Sequence, residues 1–108
     1  MSQKILQITY KLGIPAGDFA RAMLPVAQPI ADSPGLLWKI WLMNEADGEA
    51  GGIYLFEDEA AVNAFLGGPI VTAFKANPIV SDIRVKMFGV SEAHSLVTRA
   101  PIGRAVGA

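Results

Sequence analysis

The chain has 108 residues, is 52% hydrophobic and carries a formal net charge of −1. This length predicts one domain with a single core, and the absence of cysteine excludes disulfides, iron–sulfur clusters and thiolate zinc sites. The near-neutral charge argues against a nucleic-acid partner. No segment has the pattern of a signal peptide or is apolar for long enough to span a membrane. We therefore expect a cytoplasmic protein whose partners are neither nucleic acid nor membrane.

The first third of the chain predicts a strand followed by a helix. Residues 4–12 alternate in the manner of a strand with one apolar and one mixed face. Residues 16–31 have apolar side chains at helical spacing, which predicts a buried stripe of Phe19, Met23, Val26 and Ile30. Pro25 lies inside this helix and removes a backbone hydrogen bond, so we expect a kink or a break near Leu24.

The chain is organised around a predicted hairpin over residues 36–56, whose first strand is apolar on both faces. Trp38 lies on one face, and Trp41 lies on the other together with Lys39. A sheet with one solvated face would instead alternate apolar and polar residues. Both faces therefore need cover, and one short chain is expected to supply it for only one of them.

The turn and the second strand of the hairpin carry glycine signals. Asp47-Gly48 predicts a type I′ turn, in which both central residues have positive φ. Gly51-Gly52 precedes the strand over residues 53–57 and predicts a β-bulge, or else a place where another group approaches the backbone.

The second half of the chain predicts helical segments and one more strand. Asp58 is expected to cap a helix that is interrupted by glycines and resumes over residues 70–77. The clean alternation of residues 80–88, with basic side chains on one face, predicts an exposed edge strand. We expect the domain to comprise residues 1–95, with residues 96–108 as a C-terminal tail or as an arm that orders against a partner.

The predicted order of elements is β-α-β-β-α-β. With right-handed crossovers, this order folds as an α+β, ferredoxin-like domain with a four-stranded antiparallel sheet and helices on one face. The simplest cover for the remaining apolar face is a second copy of the same sheet, so we expect a symmetric face-to-face homodimer.

Two segments of the hairpin resemble a known family. Pro34 to Trp41 (PGLLWKIW) and Glu49 to Phe56 (EAGGIYLF) are similar to the YdhR-type monooxygenases of the dimeric α/β-barrel superfamily, and the resemblance extends over residues 4–95. It implies two ferredoxin-like subunits whose sheets close into a shared barrel. It also implies oxygen insertion into a small aromatic or enolic molecule without a metal or flavin cofactor. No catalytic motif of that family can be transferred to individual positions here.

Oxygenation without a cofactor requires an apolar, water-poor pocket and a group that accepts a proton or stabilises an anion. His94 and Tyr54 are the catalytic candidates, since His94 is the only histidine and tyrosine can orient a substrate. The aromatic side chains expected to bind substrate are Trp38, Trp41 and Phe56. Core packing is the competing interpretation for each aromatic residue, and exposure on a polar loop is the competing interpretation for His94.

Other residues and other functions fit the pattern less well. Lys39 could bind an anionic substrate, although such a lysine more often extends past a sheet edge into solvent, and Asn44 fits a turn. A single histidine and no cysteine supply no metal-ligand spacing. The predicted third strand lacks the basic residue that an RNA-recognition module carries there. The glycines after the first strand lack the spacing that a dinucleotide-binding fold requires. A non-catalytic dimeric module that binds a small molecule is the main alternative.

Overall fold

A computed structural model describes residues 2–102. Along the chain, the elements are β1 (Lys4–Leu12), α1 (Ala16–Ala31), β2 (Leu36–Asn44), β3 (Glu49–Phe56), α2 (Glu59–Leu66), α3 (Pro69–Lys75), β4 (Val80–Gly89) and α4 (Glu92–Val97). The strands form one antiparallel sheet in the order β2-β3-β1-β4. The predicted ferredoxin-like fold is confirmed, with the second helical region divided into α2 and α3.

The core lies between the sheet and helices α1 to α3. Residues two apart on a strand share a face, so β1 presents Leu6, Ile8 and Tyr10 to the helices while β3 presents Tyr54 and Phe56. We call this side the helix-covered face. The helices contribute buried side chains at helical spacing, namely Phe19, Ile30, Val62, Phe65 and Val71. Burial of these apolar groups is the main force that holds the helices against the sheet.

Helix α1 spans Ala16 to Ala31, as predicted, and continues through both Pro25 and Pro29. Each proline removes one intrahelical hydrogen bond. The apolar stripe of the helix packs on the sheet on both sides of these positions, with Phe19 and Ile30 buried. Tertiary packing therefore keeps one continuous helix. Of the two outcomes expected near Leu24, a kink or a break, the break into two pieces is not observed.

The hairpin turn also differs from the prediction. Asn44 pairs with Glu49, so four residues rather than two form the loop. Only Gly48 has positive φ there, at 59°. The backbone N–H of Asp47 donates to the Asn44 side chain at 3.3 Å, and this Asx-type bond shapes the loop in place of a type I′ turn.

The two glycines of β3 lie in regular strand rather than in a bulge. Gly51 pairs with Thr9 and Gly52 pairs with Ile8 without a shift in register. A Cβ at Gly51 would collide with the carbonyl oxygen of Ile8, and a Cβ at Gly52 would lie 2.5 Å from Cε of Lys39. The bulge prediction is wrong, and the alternative interpretation, close approach of another group, is the one observed.

The second half of the chain follows its predictions closely. Asp58 caps α2, since its carboxylate accepts a hydrogen bond from the backbone N–H of Ala61 at 2.9 Å. Pro69 opens α3 at a position where its missing N–H costs nothing. β4 forms one edge of the sheet, and its Val85 and Met87 lie opposite Ile8 and Leu6 on the helix-covered face.

The opposite side of the sheet, which we call the second face, carries Ile5, Trp38, Ile40, Leu55 and Phe88. Ile40 is 53% exposed and Phe88 is 46% exposed, whereas Leu55 has no exposed surface. The end of the described chain covers part of this face, because Trp38 Nε1 donates to the carbonyl oxygen of Pro101 at 2.9 Å.

Helix α4 runs across the boundary expected near residue 95, and the described chain ends at Ile102, which is 3% exposed. The rest of the predicted tail, residues 103–108, lies outside the described residues. Within residues 2–102, no helix is both long enough and apolar enough to cross a membrane.

Candidate active site

A cavity of about 420 Å³ opens between the helix-covered face and helices α1 and α3. This volume lies within the range of about 300–1,000 Å³ that small-molecule sites occupy. Most of the lining is aliphatic or aromatic. Its polar side chains are the exceptions, namely Tyr10, Lys39, Tyr54, Lys75 and Asn77. None of the lining residues is acidic.

Two tyrosines from the central strands face this cavity. Tyr10 packs edge-on against Phe74 with the ring centroids 4.5 Å apart. The ring centroids of Tyr54 and Phe65 are 5.2 Å apart. Burial raises the pKa of Tyr10 to about 12 and raises the pKa of Tyr54 further, with a smaller contribution from Tyr10. Both phenols therefore stay protonated near neutral pH and can donate a hydrogen bond.

The Tyr54 hydroxyl is available to a ligand. It forms no hydrogen bond to any residue between 2 and 102. In the same part of the chain, no fully buried side-chain nitrogen or oxygen atom lacks a partner. The hydroxyl must therefore be open to the cavity, where a bound molecule could accept its proton in a hydrogen bond.

Lys39 is the unusual residue of the cavity. It lies opposite Tyr54 across the β2–β3 pair, and its side chain runs inward along the sheet. Its Nζ lies 3.3 Å from the centre of the Trp41 ring and 4.5 Å from the centre of the Tyr54 ring. Neither of the ion pairs in the described chain involves it. Burial lowers the pKa of this lysine to about 7, because little water remains to solvate the ammonium group.

Trp41 lies outside the lining of this cavity but contacts Lys39. The ring lies beneath the lysine in a cation–π contact, and the residue lines a smaller neighbouring cavity of about 220 Å³. The residue is 38% exposed, because β2 is an edge strand and α1 covers it only partly. Trp41 therefore has the aromatic surface expected of a substrate-binding residue, next to the polar group of the site.

The other residues expected at the site lie elsewhere. Phe56 is fully buried in the core and stacks on Tyr54 with the ring centroids 6.1 Å apart. Trp38 lies on the second face. His94 is exposed on α4, with its Nδ1 2.7 Å from the hydroxyl of Ser91, and it lines none of the three cavities found. Asn44 shapes the hairpin loop.

Sequence analysis missed Tyr10 as a site residue and favoured a solvent-exposed position for Lys39. The signal for Lys39 was present in Gly52. A glycine inside an otherwise regular strand makes room for another group, and here that group is the lysine side chain. No three potential metal ligands lie together anywhere in residues 2–102.

Comparison with models of known protein families identifies the family to which the chain belongs. The family model described as "Putative mono-oxygenase ydhR" matches residues 5–101, which is most of the chain. The chain belongs to this family. The resemblance seen in its hairpin segments is thereby confirmed, and the protein is a member of a mono-oxygenase family. Comparison with curated protein sequences gives no match.

Solved structures show that this mono-oxygenase family member shares its fold with several other small proteins. SnoaB, a cofactor-independent oxygenase from Streptomyces nogalater, is 18% identical with a TM-score of 0.66, covering 83% of this chain and 94% of SnoaB. A protein of unknown function from Nitrosomonas europaea is 24% identical, with a TM-score of 0.66 and coverage of 84% and 91%. MhuD, a heme-degrader from Mycobacterium tuberculosis, is 22% identical, with a TM-score of 0.61 and coverage of 81% and 95%. At these identities, the likeness is one of fold.

Proposed function

We propose that the protein is a homodimeric monooxygenase that oxidises a small aromatic or enolic molecule inside the cavity, without a metal or flavin of its own. The observation that carries this proposal is the cavity itself, which is apolar and yet holds two protonated phenols and a lysine. Membership of a mono-oxygenase family supplies the class of reaction. The cofactor-independent chemistry is that named for SnoaB, which shares the fold.

The reaction needs only the substrate and O₂. A phenol or enol loses a proton, its anion transfers one electron to O₂, and the two radicals combine to form a carbon–oxygen bond. When the reacting carbon begins as CH₂, loss of water from the resulting hydroperoxide leaves a ketone. One substrate molecule and one O₂ thus give one ketone and one water, and no external reductant enters the balance. An apolar cavity suits these steps because it keeps water away from the reactive anion.

Tyr54 and Trp41 have roles in this scheme that their positions support. The Tyr54 hydroxyl donates a hydrogen bond to the substrate oxygen as charge builds there, which is the function of an oxyanion donor. Trp41 offers an aromatic surface next to the Lys39 ammonium group, outside the lining of the main cavity. Tyr54 is a hydrogen-bond donor rather than a proton acceptor, because its raised pKa keeps the phenol protonated.

Two other functions are less well supported. Haem degradation, which is named for MhuD, would favour a histidine in the cavity. The only histidine here, His94, is exposed on α4 and lies outside the lining of the three cavities described above. A dimeric module that binds a small molecule without catalysis would use the same cavity, and it is the function that remains if oxygen chemistry is not observed.

The proposal includes a homodimer and a cytoplasmic location. The exposed Ile40 and Phe88 give the second face an apolar surface that a second copy of the sheet would bury. The chain contains no cysteine, which suits a reducing compartment.

The experiment that tests the function is oxygen uptake with a panel of phenols, quinols and cyclic enols, followed by mass spectrometry of products formed under ¹⁸O₂. We expect the protein to accelerate uptake with at least one compound and to place one ¹⁸O atom in the product. Tyr54→Phe should lower the rate roughly 100-fold, the loss typical of removing one oxyanion donor. Uptake no faster than the uncatalysed rate across the whole panel would leave only the binding function.

A further inference from the structure

We propose that Lys39 binds an anionic oxygen of the ligand, so that the cavity selects flat apolar molecules that carry one acidic group. The inference rests on the proposed function in one respect, since it takes the same cavity as the site. It adds the chemical class of the ligand and the residue that recognises it.

The first argument is the charge pattern of the cavity. Lys39 and Lys75 are its only charged side chains, and both are cationic. Lys75 is exposed at the end of α3, whereas Lys39 is half-buried against the Trp41 and Tyr54 rings. A partly desolvated ammonium group with no ion-pair partner among residues 2–102 costs free energy. An anionic ligand would supply the missing negative charge.

The second argument is that the fold makes room for this lysine. Gly52 lies directly across from Trp41 on the neighbouring strand and leaves the sheet surface bare. A Cβ there would be 2.5 Å from Lys39 Cε and 3.4 Å from its Nζ. Gly52 is therefore a positioning residue, because it allows the lysine side chain to lie along the sheet into the cavity.

The third argument is the arrangement of neighbouring donors. Lys39 and Tyr54 lie opposite each other on adjacent strands, so the ammonium group and the open hydroxyl can both donate to one ligand oxygen. The surrounding walls are aromatic and aliphatic and contain no acidic group that would compete for the lysine. This combination binds a flat apolar body with one anionic oxygen.

The test is calorimetric binding of three ligands that share one ring system. They are 2-naphthoate, which is anionic, 2-naphthalenemethanol, which is neutral, and 2-naphthylmethylammonium, which is cationic. At about pH 6 we expect 2-naphthoate to bind at least roughly tenfold more tightly than the neutral alcohol, and the cation to bind most weakly. Equal affinity for the three ligands would overturn the proposal without any variant being needed.

Variants then assign the preference to a residue. Lys39→Met keeps the length and apolar stem of the side chain, and it should remove the preference for the anion. Lys75→Met, the matched control, removes the other charge of the cavity and should keep the preference. Loss of the preference in both variants, or in neither, would show that Lys39 does not carry it.

The pH dependence provides a further readout. The ionisable groups that face Lys39 are Tyr54 on β3, Tyr10 on β1 and Lys75 on α3, and α1 and β4 contribute none to the cavity. Because the pKa of Lys39 is lowered to about 7, affinity for 2-naphthoate should fall as the pH rises from about 6 to about 9. Affinity for the neutral alcohol should stay constant. A pH-independent preference for the anion would contradict the proposal.

Binding is measured here without turnover, so this result is separate from the result of the oxygen experiment. A protein that prefers the anion but consumes no oxygen would keep the ligand class and lose the proposed reaction. A protein that consumes oxygen without any preference for an anion would keep the reaction and lose this role of Lys39.

Discussion

At the scale of single residues, the cavity is defined by polar groups that burial has altered. Removal from water favours the uncharged form of an ionisable group. It therefore lowers the pKa of Lys39 and raises the pKa of Tyr10 and of Tyr54. Near neutral pH, the site holds two hydrogen-bond donors and one amine whose charge depends on the pH.

Lys39 should make the stability of the free protein depend on pH. Its pKa is about 7 in the folded chain against an ordinary value of 10.5, so between these values the unfolded chain binds more protons. The free energy of unfolding should therefore rise with pH from about 7 to about 10.5. Lys39→Met should remove this part of the slope in urea titrations. Equal slopes in the two proteins would contradict the burial of the lysine.

Residue identity alone could predict part of this site. The alternation of β2 correctly placed Lys39 and Trp41 on one face, and the grouping of aromatic residues on the hairpin drew attention to Tyr54, which lines the cavity. Gly52 signals that another group approaches β3, but the identity of that group as Lys39 depends on how β2 pairs with β3, which the sequence does not show. The contact of Trp38 with Pro101 joins distant parts of the chain, so no local pattern reveals it.

At the scale of secondary-structure elements, the predictions that depend only on contacts between neighbouring residues were correct. The Asp58 cap and Pro69 both act within one helical turn, and both were correctly predicted. The extent of α1 was also correctly predicted, and packing on the sheet keeps this helix unbroken through its two prolines. The prediction failed in β3, where the glycines lie against groups from two other strands.

The two glycines of β3 should respond differently to alanine. Gly51→Ala drives a Cβ into the backbone of β1, 3.0 Å from Thr9 Cα, and should lower the free energy of unfolding by roughly 3 kcal/mol. Gly52→Ala meets only the movable end of Lys39 and the edge of Tyr54. It should cost less than about 1 kcal/mol while displacing the lysine. Urea titrations would compare the two, and equal losses would show that the contacts are not as described.

At the scale of the whole molecule, the sheet divides its two faces between different tasks. The helix-covered face holds the core and the cavity. The second face is covered in part by the end of the described chain and retains apolar exposure at Ile40 and Phe88. The overall fold was predictable because the order of elements and the handedness of crossovers leave few alternatives.

A homodimer should form through the second face. Light scattering at micromolar concentration should give about twice the chain mass of 11.5 kDa. Ile40→Asp should shift the protein toward monomer, because the change puts a charge into the proposed apolar interface. Leu24→Asp is the matched control, since Leu24 is 72% exposed on α1. A monomeric wild-type protein, or loss of dimer in the control alone, would refute this arrangement.

The most direct measurement is oxygen uptake by wild-type protein and by a variant whose cavity is filled. Ala73→Phe adds a ring on α3 at the cavity wall, and Ala76→Phe adds the same ring outside the lining. With the best compound of the panel, we expect wild type and Ala76→Phe to consume oxygen alike, with Ala73→Phe at least roughly tenfold slower. If Ala73→Phe matched wild type, or if wild type consumed no oxygen with any compound, the cavity would not be the site of an oxygenase.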